Sequence, residues 1–159
     1  MSTAFKGVAV FVRDAHRSRE FYEDLLGQQV ISAGDTRVTL AGGISFWQAG
    51  HATKSIFGRE VMDDGGRLGR RNLQIRFETA DLDALWERVG EAGATILHPI
   101  QEQAWGQRIF RLMDPDGHIV ELAEGMDLAV RRLKSHGLSD QEIAKRTSIP
   151  VELVRKLAG

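Results

Sequence analysis

Cysteine is absent from the 159 residues, which excludes disulfides, a thiolate metal site and a cysteine nucleophile. No stretch reaches the ~18 consecutive apolar residues that a membrane span needs. The N-terminus, MSTAFKGVAV, lacks the basic leader and long apolar core of an export signal, so the expectation is a soluble, cytoplasmic protein. Also missing is any Ser-His-Asp set that the element order would assemble. GGRLGRR has no Lys-Ser/Thr after it, so it is not a nucleotide-binding loop. At 42% hydrophobic and 27% charged residues, neither disorder nor a coiled coil is favoured. A strong net charge is lacking too, but the value of -1 hides an imbalance. Residues 1–130 carry 14 Lys or Arg against 19 Asp or Glu, and residues 131–159 carry 7 against 3. The body gives no hint of nucleic acid; the tail gives a mild one.

Two amphipathic segments organise what is present. GVAVFV (7–12) reads as a strand, and RDAHRSREFYEDLLG after it places Phe21, Tyr22, Leu25 and Leu26 at helical spacing, with Asp14 as cap and Gly27 as terminator. QQVISA, RVTLA and ISFWQAG are three short strand candidates. The segment 50–70, with its DDGG turn, reads as a connection, and Arg67, Arg70 and Arg71 within and after it as a solvated face. NLQIRF (72–77) resumes a strand, with Asn72, Gln74 and Arg76 on one face. DLDALWERVGEAG repeats the helix, capped by Asp81, with Leu82, Leu85, Trp86 and Val89 as its stripe. ATILHPI, QRIFRLM and HIVELAE follow as strands, the last two joined at DPDG.

The order βαβββ therefore occurs twice, at about 5–60 and 70–124, within a domain spanning 1–125. The fold class is α+β: two such modules forming an open cleft, plus a small helical appendage. The appendage, 126–159, divides into three helical pieces. Ser139 and Glu142 form a capping box, Pro150 suits a helix start, and Gly137 and Gly159 suit helix ends.

FVRDAHRSREFYEDLLGQQV, WGQRIFRLMDPDGHIVEL and the two-fold element order resemble the vicinal oxygen chelate superfamily, which includes glyoxalase I, extradiol dioxygenases and the fosfomycin and bleomycin resistance proteins. The resemblance covers roughly residues 5–124. It implies four inward-facing ligand positions in metal-dependent members. Here these fall on Gly7, a position near Phe46, Asn72 and Glu121. Gly and Phe offer no donor atom, Asn is a poor ligand for a transition metal, and one carboxylate does not hold a divalent ion alone. The expectation is a metal-free cleft similar to that of bleomycin resistance proteins, without cofactor. A divalent metal serving a glyoxalase-like lyase or dioxygenase is the alternative. The superfamily also implies a homodimer.

Strand parity predicts a cleft floor of Phe11, Phe46, Gln48, Asn72, Gln74, Arg76, Arg108, Phe110 and Glu121, facing a small polar or aromatic molecule. Trp105, in a Gly-containing loop, is a candidate to stack on it, whereas Trp47, Tyr22 and Trp86 read as packing residues. A half-buried Glu121 needs an arginine, Arg108 or Arg76. That pair is a structural tie or a cation and carboxylate presented to a ligand; a misassigned metal site is the third possibility. As a catalytic residue, Glu121 could be a general base in apolar surroundings. Of the histidines, His118 reads as structural, and His51 alone has a path into the cleft.

GLSDQEIAKRTSIPVELVRKL resembles a helix-turn-helix of the resolvase-like type, which implies a ligand-responsive DNA-binding protein as a further alternative. Its last helix offers only Glu152, Arg155 and Lys156 toward DNA. The favoured reading is a three-helix cap packed on the domain or on a second subunit.

Overall fold

The computed structural model describes residues 3–61 and 68–159. The expected DDGG turn and Arg67 lie outside them, while Arg70 and Arg71 are exposed.

Two four-stranded sheets share one strand order. The first is β1-β4-β3-β2, from Val8–Val12, Ile44–Gln48, Arg37–Leu40 and Val30–Gly34. The second is β5-β8-β7-β6, from Gln74–Thr79, Ile119–Glu124, Arg108–Met113 and Thr95–Glu102. In each, the outer strand before the helix pairs in parallel with the last strand of its module. This is the α+β repeat of two βαβββ modules. The chain divides into two compact units: residues up to Leu73 with Met113–His118, and Gln74–Leu112 with Ile119–Gly159. Among the described residues no helix is long and apolar enough to cross a membrane.

In the first unit, α1 (Ala15–Arg19) starts where the Asp14 carboxylate accepts from the His16 and Arg17 amides, then continues as a π-helical stretch, Glu20–Leu25. That stretch buries Phe21 and Tyr22, and the Tyr22 ring stacks on Phe46 with centroids 4.0 Å apart. Tyr22 also donates to Asp114 (2.9 Å), whose other oxygen accepts the Asp116 and His118 amides while the His118 ring bonds its carboxylate. Burial first, then the Asp114 charge, pushes the Tyr22 phenol well above its ordinary value. His118 is thus a buried part of the turn. The segment expected as plain connection instead contains α2 (Ala49–Phe57), which buries Ala49, Ala52 and Thr53 while Ile56 and Phe57 stay exposed. Two adjacent exposed apolar residues at its end obscured the helical period.

In the second unit, α3 (Leu82–Glu91) is capped by Asp81, which accepts from the Ala84 amide, and buries Leu82, Leu85 and Val89. The tail is α4 (Met126–Ser135), α5 (Asp140–Thr147) and α6 (Val151–Ala158). They close around Val130, Leu133, Ile143 and Val154, with Ala144, Ile149 and Leu157 packed against that cluster. Ser139 and Glu142 make the reciprocal capping box.

Candidate functional site

Each sheet has one face against its helix and one turned away. On the first, Val10, Val38 and Phe46 lie in register and are buried with Tyr22. Phe46 therefore belongs to the helix side, and so by parity does Gln48, whose amide bonds the Thr36 carbonyl at the end of β4. The expected floor at Phe46 and Gln48 is corrected to the alternate set. Phe11, Trp47 and Arg37 are mutual register partners on the opposite face. There the Phe11 ring meets Trp47 edge-on at 6.4 Å, and the Arg37 guanidinium sits 5.1 Å over the Trp47 ring. Arg37 also donates to Ser45 (3.2 Å), which bonds Thr39. The antiparallel partner decides the parity. Val38 and Leu40 are the apolar half of β3, and Val38 faces Phe46, which commits Trp47 to the polar half.

The second sheet carries the ionic site. β5 and β8 run parallel with Arg76 beside Glu121. Glu121 is only 2% exposed, so its charge requires compensation from protein groups. One oxygen is 3.3 Å from Arg76 Nε. The other accepts from Arg111 Nη2 and from Gln74 Nε2 (3.3 Å). Arg111 Nε donates to the Gln74 side-chain oxygen (2.9 Å), and its Nη1 meets His98 Nε2 at 3.3 Å. With His98 Nδ1 2.8 Å from the Pro99 carbonyl, these contacts fit the Nδ1–H tautomer. The apolar surroundings expected of a general base are not what Glu121 has: two guanidiniums and an amide hold it.

Arg108 and Phe110 were expected beside Glu121 and are on the other face. Arg108 forms a two-bond ion pair with Asp83 of α3, and Phe110 meets Trp86 of α3 edge-on at 5.1 Å. That pairing lowers Asp83 and raises Arg108 from their ordinary values, the Arg108–Asp83 hydrogen bond being the largest cause for each. The reason is the hairpin. Its loop closes through the Asp114 amide to the His118 carbonyl (3.0 Å), so His118 belongs to the closing pair and the count shifts by one. Arg111, three residues from Arg108, then falls opposite Glu121, because a one-residue slip reverses every side chain. Asn72, aligned as a ligand position, precedes β5 and is exposed; Gln74 is the β5 residue that reaches Glu121.

Gln107 was not foreseen. It is fully buried and its amide is saturated: the oxygen accepts from Arg76 Nη2 (2.6 Å) and Trp105 Nε1 (3.0 Å), while the nitrogen donates to Glu78 (3.1 Å) and the Glu124 carbonyl (2.8 Å). Trp105, half-buried, is thereby joined through Gln107 and Arg76 to Glu121. Sequence signals existed only for Arg111, through the loop closure; nothing in WGQR distinguishes Gln107 from an ordinary loop amide.

A divalent ion of the kind the metal-dependent members hold does not fit these residues. A Cβ at Gly7 (φ +140°) would stand 2.0 Å from the Gly43 carbonyl oxygen, so that position admits no ligating side chain. Glu121 is surrounded by cationic donors, which repel a second cation. Among the described residues no group of three His, Asp or Glu converges.

Comparison with known proteins agrees with this architecture. Residues 5–127 match the glyoxalase-like domain family. An uncharacterized protein of Mycobacterium bovis is 36% identical over 81 residues, 43% of this chain and 53% of its own length. The chain thus spans about half the length of the curated relatives it matches. A crystal structure of a protein of unknown function from Agrobacterium tumefaciens is 34% identical, covers 79% of this chain and 96% of its own, and superposes with a TM-score of 0.71. A glyoxalase/bleomycin resistance protein/dioxygenase from Nocardioides has the same fold at 20% identity, covering 78% of this chain and 85% of its own with a TM-score of 0.58. The family match stops at the start of α4. With most of its length matched and both βαβββ modules in place, this chain belongs to the glyoxalase-like domain family of the vicinal oxygen chelate superfamily.

Proposed function

We propose that the protein binds a small polar or aromatic molecule without a metal ion, at the ionic face of the second sheet. The observation that carries this is the grip of Arg76, Arg111 and Gln74 on the Glu121 carboxylate. In this reading the position that a metal-dependent relative uses for its ion is filled by guanidinium groups. Their remaining N–H groups and the Trp105 ring are the ligand contacts. A fixed set of donors and acceptors beside an aromatic surface suits a planar or hydroxylated molecule recognised by hydrogen-bond direction. The DNA-binding alternative gains no support from the tail. Arg131, Arg132, Lys134, Arg146 and Arg155, five of its seven basic residues, are each in an ion pair with a carboxylate.

The test is a thermal-shift screen of small polar and aromatic compounds, followed by calorimetric titration of each hit on chelator-treated protein. Binding that persists without metal, and that weakens about tenfold or more in Glu121→Gln and in Arg111→Met, is the expected result. Binding abolished by the chelator and restored by one equivalent of a divalent ion would overturn the reading.

A further inference from the structure

The tail does more than pack its own core. Arg132 of α4 donates to Glu102 and to Glu124, and to the Gly106 carbonyl (2.6 Å). Arg146 of α5 donates to the same Glu102 and lies 3.4 Å from the Ala104 carbonyl. Both arginines thus hold the ends and the backbone of one loop, Gln103–Gln107, which is closed on itself by Gln103 N–H to the Gln107 carbonyl and Gly106 N–H to the Gln103 carbonyl (both 2.8 Å). This loop carries Trp105 and Gln107. Leu133 of α4 presses on Gly106, where an added Cβ (φ +93°) would come 2.9 Å from its methyl. Glu124 completes the connection: its carboxylate accepts from Arg132 and the Arg108 amide, and its carbonyl accepts from Gln107.

We propose that the C-terminal helices are a positioning element for the binding face, and that Arg132 is the residue through which they fix Trp105 and Gln107. This rests on the reading of that face as the binding site. The route is continuous and contains no gap: Arg132 to Glu124 and Gly106, from these to Gln107, from Gln107 to Trp105 and Arg76, and from Arg76 to Glu121. A helical cap that served only its own stability would need its charged pairs within itself, like Lys134 and Arg155 with Asp140. Arg132 and Arg146 instead spend theirs on the loop.

The experiment needs no ligand, so its failure is separable from failure of the binding proposal. In the full-length protein, solvent exchange of the three tryptophan indole N–H groups is followed by NMR, each signal assigned from a Trp→Phe variant. In Arg132→Met the Trp105 indole should exchange about tenfold faster, since local opening follows the loss of charged hydrogen bonds. Trp47 and Trp86 should be unchanged. Arg132→Lys should recover part of the protection, and Arg146→Met should show a smaller effect in the same direction. Lys134→Ala, which loosens the tail without touching the loop, should leave Trp105 as it is. Unchanged Trp105 exchange in folded Arg132→Met would overturn the proposal, as would an equal acceleration in Lys134→Ala.

Discussion

Two sheets of one strand order present two different chemistries on the faces turned from their helices. The first offers Phe11 and Trp47 with Arg37 lying over the indole and bonded to a serine. The second offers Arg76 and Arg111 around a carboxylate with almost no exposure. Both contain arginine, but one is spent on a ring and a hydroxyl, the other on a buried charge. The backbone plan is thus indifferent to what it displays, and the site has to be argued from side chains.

That contrast can be broken experimentally, beginning within the first sheet. Phe46→Ala should cost about 4 kcal/mol in urea unfolding, because a fully buried ring stacked on Tyr22 is lost. Trp47→Ala, the half-buried counterpart, should cost less, about 2 kcal/mol. The reverse ranking would mean that the faces have been exchanged. On the second sheet, Arg111→Met should destabilise by about 3 kcal/mol by leaving Glu121 short of a cation, and adding Glu121→Leu should recover most of it. Gly7→His should cost about 2 kcal/mol from backbone strain and collision with Gly43, and should confer no zinc uptake on dialysis and elemental analysis.

A smaller effect separates the tail from both sheets. Burial pushes the Glu102 carboxyl upward, but the Arg132 and Arg146 guanidiniums outweigh it and hold it below its ordinary value. Its contribution is therefore present above the ordinary carboxylate value of about 4.3 and is lost as pH falls through the lowered one. Limited proteolysis of the tail should accelerate in that acid window, and less so in Arg132→Met. Smallest of all, Arg37→Met should cost about 0.5 kcal/mol, the value of an exposed cation over a ring.

The repeated βαβββ order, the Asp14 and Asp81 caps and the Ser139 capping box were legible because each rests on local spacing or a local hydrogen bond. Faces of β4 and β7 were not. ISFWQ buries Ser45 beside Phe46, and RIFRLM buries Ile109 beside Phe110 and Leu112 beside Met113, so neither strand alternates, and parity came from a loop length or an assumed ligand position. His118 joining the hairpin's closing pair moved Arg108 and Phe110 to the helix side. Gln74 and Arg76 were read onto one face from the alternation of β5, and Glu121 was added to them through the resemblance; in the structure Arg76 and Glu121 are register partners and Gln74 bonds the Glu121 carboxylate. Gln107 required the fold itself, since its partners Arg76, Glu78 and Glu124 are distant in sequence, whereas Arg111 was open to reading from the hairpin's closing pair.

The ionic face holds Arg76 and Arg111 against Glu78 and Glu121, two formal charges of each sign within one bonded cluster. Such a surface projects almost no field into solution, so it would not draw a charged visitor from a distance or lose its hold as ionic strength rises. Selection there would depend on what an arriving molecule does after contact, by matching dipoles one at a time, and encounter would proceed at the unsteered rate.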